Sequence, residues 1–288
     1  MSTKILIDTS SGLSKEEADE NGFELVGLPF LLDDVEYNDL NLDENVFFEK
    51  LVNAKRINTS QAPVELVVNK IRELLKEYDE VLYFPITSGL SSSYNTGFLI
   101  SNADEFKDKV FCIDHKTISV SERRLLLYVK ELVDSGYSSR DIKDIVEKNA
   151  KNDIWIVVDD FNYLKKGGRV DAITATIGNI LNIKPILYSD GGKFSLVKKE
   201  RSLKNAFDDI LSFIDDIVER DYTKFGKEYY LDVAYVKNLE LAEEVKKKIH
   251  DKFQIPDESI YIGKLSQVVA CHTGPDTIGI ALYKKIII

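Results

Sequence analysis

The sequence predicts an α/β fold of two domains, a parallel-sheet N-terminal domain followed by a mixed-sheet C-terminal α/β domain. Three observations predict it. Short β-rich runs alternate with amphipathic helical stretches over the first half of the chain, the pattern of a parallel sheet with crossover helices. A length of 288 residues, 44% hydrophobic and 30% charged, suits a globular chain long enough for more than one core. Beyond Val158 the texture shifts to glycine-punctuated runs that read as antiparallel pairs.

In chain order, residues 4–8, 24–32, 80–86, 110–114 and 154–158 are apolar and β-branched and read as strands. Between them, residues 43–54, 63–78, 91–102 and 119–134 place apolar side chains at three- and four-residue spacing, and Ser138 caps a further helix running to about 150. The boundary falls near 158–160, giving domains 1–158 and 159–288. In the second, a helix over 171–181 precedes a hairpin of 183–189 and 193–199 joined by Asp190-Gly191-Gly192. A helix over 202–219, a strand over 229–236, a helix over 239–248 and β-like runs at 259–263 and 277–283 complete it.

Composition excludes several classes. Acidic residues number 49 against 38 basic, a net charge of −11, which opposes nucleic-acid binding and adhesion to anionic lipid. Cys112 and Cys271 have no CxxC spacing, and the histidines are three, His115, His250 and His272; no disulfide framework, metal or cofactor is expected. Met1-Ser2-Thr3-Lys4 runs straight into Ile5-Leu6-Ile7-Asp8 without the apolar core of a signal peptide, and no apolar run approaches a membrane span. A cytoplasmic protein is expected.

Chemistry concentrates in turns. Hydroxyls cluster at Asp8-Thr9-Ser10-Ser11, at Thr59-Ser60-Gln61, and at Thr87-Ser88-Gly89-Leu90-Ser91-Ser92-Ser93. In open α/β sheets, ligands bind beyond the carboxyl ends of strands, where helix N-termini offer unpaired N–H groups to an anion. Serine and threonine are also the preferred helix caps, so each turn taken singly reads first as a cap; the extra hydroxyls of the third tip it toward binding a carboxylate or phosphate. His272, in Cys271-His272-Thr273-Gly274-Pro275, reads as a turn residue able to donate to an anion or simply to cap. Lys165, Lys166, Gly167, Gly168 and Arg169, with Lys184, Lys198, Lys199, Arg201 and Lys204, form basic runs that suit either phosphate or a solvated rim. Neither GxxxxGK[ST], GxGxxG nor GxSxG occurs.

Taken together along nearly the whole chain, Ile7-Asp8-Thr9-Ser10, Thr59-Ser60-Gln61, Ser88-Gly89-Leu90-Ser91 with Tyr94, Tyr163 through Arg169, Gly178 through Leu187, Lys199 with Arg201, and His272-Thr273-Gly274-Pro275 resemble the DegV family of bacterial fatty-acid-binding proteins. That family includes the lipid-binding subunit of fatty acid kinase. The resemblance implies two α/β domains with an acyl tunnel near their junction. It implies that Thr59, Ser91 and His272 hold the ligand carboxylate, with Ser60, Ser88, Gly89 and Ser92 in the supporting turns. It also implies a carrier rather than an enzyme, whose partners are a long-chain fatty acid, an ATP-dependent fatty acid kinase that makes the acyl phosphate and, in passing, a membrane surface. Arg169 and Arg201 match basic positions of the family and are expected to serve phosphate handling or kinase coupling. The sequence departs from the family at Ala62-Pro63, at Ser92-Ser93, and over 115–123, whose bulky side chains bear on the width of the tunnel. Two rivals remain, a hydrolase using Ser91 with His272 as base, and a binding module for another small carboxylate or phosphate.

Overall fold

The protein is seen in a computed structural model that describes residues 2–168, 183–221 and 228–286. Arg169 and the helix expected over 171–181 lie outside the described residues. Four strands, β1 (Thr3–Asp8), β2 (Glu24–Val26), β6 (Glu80–Phe84) and β7 (Val110–Cys112), form a parallel sheet in the order β2-β1-β6-β7. Its strands are short and buried on both faces, which is why they read as continuous apolar runs. Helices α3 (Val64–Leu74), α4 (Ser93–Ser101), α5 (Val120–Asp134) and α6 (Ser139–Asn149) cover it.

The run 24–32 is not one strand. β2 ends at Val26, the Leu28 N–H turns to donate to the Thr9 hydroxyl, and β3 (Pro29–Leu32) pairs antiparallel with β4 (Val35–Asn38) and β5 (Ile57–Thr59) in a separate three-stranded sheet. Gly27 and Pro29 stand at the break, the two residue types that most often interrupt a strand, and the reading of one strand over 24–32 passes over them. The β3–β4 turn is Asp33-Asp34, both at positive φ, the geometry of a two-residue hairpin. Two short helices, α1 (Lys15–Glu20) and α7 (Phe161–Lys166), and the strands β4 and β5 carry too few residues for periodicity to mark them.

The other sheet has six strands in the order β10-β9-β8-β13-β11-β12, with β8 (Asn152–Val157), β9 (Lys184–Ser189), β10 (Ser195–Glu200), β11 (Tyr229–Tyr235), β12 (Ile262–Lys264) and β13 (Ile278–Lys284). All its pairs are antiparallel except β11–β12, so the sheet is mixed. The strand read at 154–158 belongs here, not to the parallel sheet, and the chain therefore changes sheet before Asn152. Nothing in its apolar pattern could tell which sheet would take it. Trp155, Val157, Val233 and Ile280 face α8 (Leu203–Asp221) and α9 (Leu239–Phe253), while Ile154, Ile156, Ala234 and Ala281 face α2 (Glu44–Asn53) and the three-stranded sheet. His272 sits not in a turn but in the last turn of α10 (Gln267–Thr273).

A buried ion pair ties the two main sheets together. Arg124 of α5 donates through Nε and Nη2, both at 2.8 Å, to Asp232 of β11, whose carboxylate is 1% exposed. Arg124→Ala would leave that carboxylate buried with the Tyr261 N–H as its remaining donor, and is expected to cost about 3–5 kcal/mol in urea unfolding. Replacing both partners by apolar residues, Arg124→Met with Asp232→Leu, is expected to recover most of the loss.

Candidate functional site

A cavity of about 710 Å³ lies between one face of the six-stranded sheet and the turns at the carboxyl ends of the parallel strands, within the roughly 300–1,000 Å³ of small-molecule sites. Its floor follows from strand register. Leu187, Ile156, Gly279 and Ala234 stand side by side on β9, β8, β13 and β11, and Ile154 with Ala281 forms the next row. Three large side chains beside three of methyl size or none leave a recess under α10 instead of a filled core. Leu265, Val268 and Val269 roof it, and Leu164 and Phe194 close its sides.

The polar residues gather at the turns. Thr59 ends β5, and its hydroxyl lies 2.8 Å from His272 Nε2. The side-chain oxygen of Gln61 accepts from Ser92 at 3.3 Å and Thr96 at 2.9 Å, which locks the 59–61 turn onto the start of α4. The Ser91 hydroxyl accepts the Ser93 N–H at 3.1 Å and sits 2.9 Å from the Ser93 hydroxyl. Capping and ligand binding are compatible here, because a hydroxyl that accepts an N–H keeps its own proton to donate. Thr59, Ser60, Ser88, Gly89, Ser91, Ser92 and His272 all line the one cavity.

Ser88 is committed elsewhere: it donates to Asp114 at 2.7 Å and accepts from Lys116 at 2.8 Å. Thr87 and the Ser88 N–H also donate to Asp114, at 2.6 and 3.0 Å, and Lys116 pairs with the same carboxylate. Burial would raise this carboxyl, but the bonds from Lys116, Thr87 and Ser88 outweigh it and hold it at about 2. Asp114 thus anchors the hydroxyl turn.

The bulky 115–123 segment mostly turns away from the cavity. His115 is fully buried, with Nε2 2.8 Å from the Pro85 carbonyl and Nδ1 2.7 Å from the Thr117 hydroxyl. Burial pushes it down to about 4, so the ring is neutral, donates from Nε2 and accepts at Nδ1. Arg123 stacks on Tyr261, and Ile118, Ser119 and Val120 are the segment's share of the lining. Arg201 is exposed just past β10, at the opposite end of the hairpin from Gly191, and is not among the lining residues. Lys193 and Asn95 are, and neither stood out in the sequence; a lysine directly after a hairpin Gly-Gly is the one available signal.

Fold and cavity define a class, the two-sheet α/β proteins with an apolar cavity between the sheets. The chain belongs to the DegV family, described as uncharacterised proteins, whose sequence profile matches residues 2–285. It is 28% identical over 287 residues to a DegV domain-containing protein of Staphylococcus aureus, covering 98% of each chain, and 30% identical over 290 residues to one of Clostridium acetobutylicum, covering 99% of each. Its structure superposes on a fatty-acid-binding DegV family protein from Thermus thermophilus with a TM-score of 0.84 at 26% identity, covering 99% of this chain and 100% of that one. A stearic-acid-binding protein from Eubacterium ventriosum shares the fold, with a TM-score of 0.86 at 21% identity and 99% of each chain covered. Among the described residues no helix is long and apolar enough to cross a membrane.

The Asp114 anchor has a pH signature. Its folded value of about 2 lies below the ordinary 3.8, so its stabilisation is complete above that ordinary value and is lost as pH falls through it toward the folded one. Asp114→Asn is expected to cost about 1–3 kcal/mol at neutral pH and to flatten the acid limb of stability, measured by urea unfolding across that range. An unchanged limb would remove Asp114 as the anchor.

Proposed function

We propose that this protein is a carrier, not itself an enzyme, that buries the tail of a long-chain fatty acid in the 710 Å³ cavity and holds its carboxylate with Thr59, Ser91 and His272, in the cytoplasm. The observation that carries this is the floor: Gly279, Ala234 and Ala281 are too small to fill the space above them, and that space ends at a rim of hydroxyls, an imidazole and the N-terminus of α4. Each methylene taken from water contributes about 0.8 kcal/mol, so the tail supplies most of the affinity. The head needs only donors, and helix N-termini favour anions. The Thermus relative's fatty-acid binding supports the same reading.

The finer role follows the family resemblance: the carboxyl group is presented to an ATP-dependent fatty acid kinase, which returns an acyl phosphate, with Arg169 and Arg201 serving that step. The hydrolase alternative finds less support. The Ser91 hydroxyl is engaged with Ser93 and His272 Nε2 with Thr59, so no serine–imidazole pair between Ser91 and His272 is formed.

Native mass spectrometry of protein purified from bacteria is expected to find close to one fatty acid per chain; protein that is folded and lipid-free throughout would defeat the proposal. Thr59→Val with Ser91→Ala is expected to weaken fatty-acid binding by about 1.5–3 kcal/mol per hydrogen bond lost to a charged head, with the fold intact. Ala281→Leu, which raises the floor, is expected to shorten the longest acyl chain retained, read from the same mass spectra. An unchanged chain-length profile would place the tail elsewhere.

A further inference from the structure

Lys193 is the residue with a permanent formal charge among the described residues that line the cavity. Its ammonium makes no ion pair or hydrogen bond among the described residues, although the chain carries a net charge of −11 and the neighbouring lysines of the same hairpin are paired, Lys184 with Asp159 and Lys198 with Asp209. The nearest acidic residue in sequence, Asp190, accepts the Gly192 N–H.

The backbone that carries Lys193 is clamped. A Cβ on Gly89 would come within 2.5 Å of the Gly191 carbonyl oxygen and 2.6 Å of Gly192 Cα, and a Cβ on Gly191 within 2.6 Å of Lys116 Cβ. The hairpin turn is therefore pressed against the Ser88–Ser92 turn, and Lys193 leaves it at the edge of the cavity with its side chain exposed and free to swing. Hydroxyls such as those of Thr59 and Ser91 can donate to an alcohol, an ester or a carboxylate, with the carboxylate bond the stronger one. An unpaired ammonium on the wall of the same cavity adds a further discrimination, because its attraction is to net charge.

We propose that Lys193 is the specificity-determining residue for head-group charge: it selects a long-chain lipid with an ionised head over a neutral lipid of the same tail. This rests on the fatty-acid reading above. The charge is partly exposed, so its effect is modest and salt-sensitive.

The test compares palmitate with 1-hexadecanol, each displacing a fluorescent fatty acid from delipidated protein, in the native sequence and in Lys193→Gln and Lys193→Arg, at low and high salt. The expected result is a preference for palmitate that falls about twofold to fivefold in Lys193→Gln, is kept in Lys193→Arg, and shrinks with salt only where the cation is present. Hexadecanol affinity should stay level across the variants. An unchanged palmitate-to-hexadecanol ratio in Lys193→Gln, or an equal loss for both lipids, would overturn the assignment. Native protein that binds neither lipid would instead defeat the fatty-acid reading, and the assignment with it.

Discussion

The cavity depends on one close approach. The Gly191-Gly192 turn of the six-stranded sheet is wedged between Gly89 and Lys116 at the carboxyl end of the parallel sheet, at distances that leave no room for a β-carbon. Without it the two sheets would meet over side chains, and the space above Ile156 and Gly279 would open to solvent. The Arg124–Asp232 pair fixes the same junction from α5. One contact is steric and the other electrostatic, and both act between residues far apart in the chain.

Within that frame the space is made by subtraction. Strand alternation sends Trp155, Val157 and Ile280 to one face, where they are buried in one cluster with the apolar side chains of α8 and α9, and Ile156, Gly279 and Ala281 to the other. A sheet with large side chains on both faces would have closed on itself. Gly279 and Ala281 weaken their own strand's packing, and the Trp155 face supplies the stability that lets them do so.

The turns that rim the cavity rest on buried and half-buried acids. Asp8 accepts the N–H groups of Ser10 and Ile86 and so joins the ends of β1 and β6; burial nevertheless raises its carboxyl to about 6. Asp39 accepts from Thr9 and from the Val268 N–H of α10, and burial raises it to about 7. Glu122 is raised well above the carboxylate range by burial, with the Asp8 charge adding to it, and receives the Ser10 hydroxyl at 3.4 Å. Only Asp114 has a cation and enough donors to remain depressed. Turns held by such groups are fixed by bonds within the protein itself, which suits a site organised in advance.

The α/β class, most central strands, the longer helices and the hydroxyl turns were legible because they depend on local pattern: runs of buried residues, helical spacing, Ser and Thr before a helix. The short elements and the transfer of β8 to the mixed sheet were not, since a strand's apolar face does not record which neighbour will cover it; for the split of 24–32, Gly27 and Pro29 mark the break but not that its second half joins another sheet. The same division runs through the site. Thr59, Ser91 and His272 stand out as residue types in the sequence, but their convergence on one cavity, and the 2.8 Å approach of Thr59 to His272, were decided by tertiary structure. So were Lys193 and the floor of Gly279 and Ala281. A glycine, an alanine or a lysine carries no chemistry until register and packing place it, because what these residues contribute is room or a charge at a particular point in space, and those points are defined only when both sheets have met.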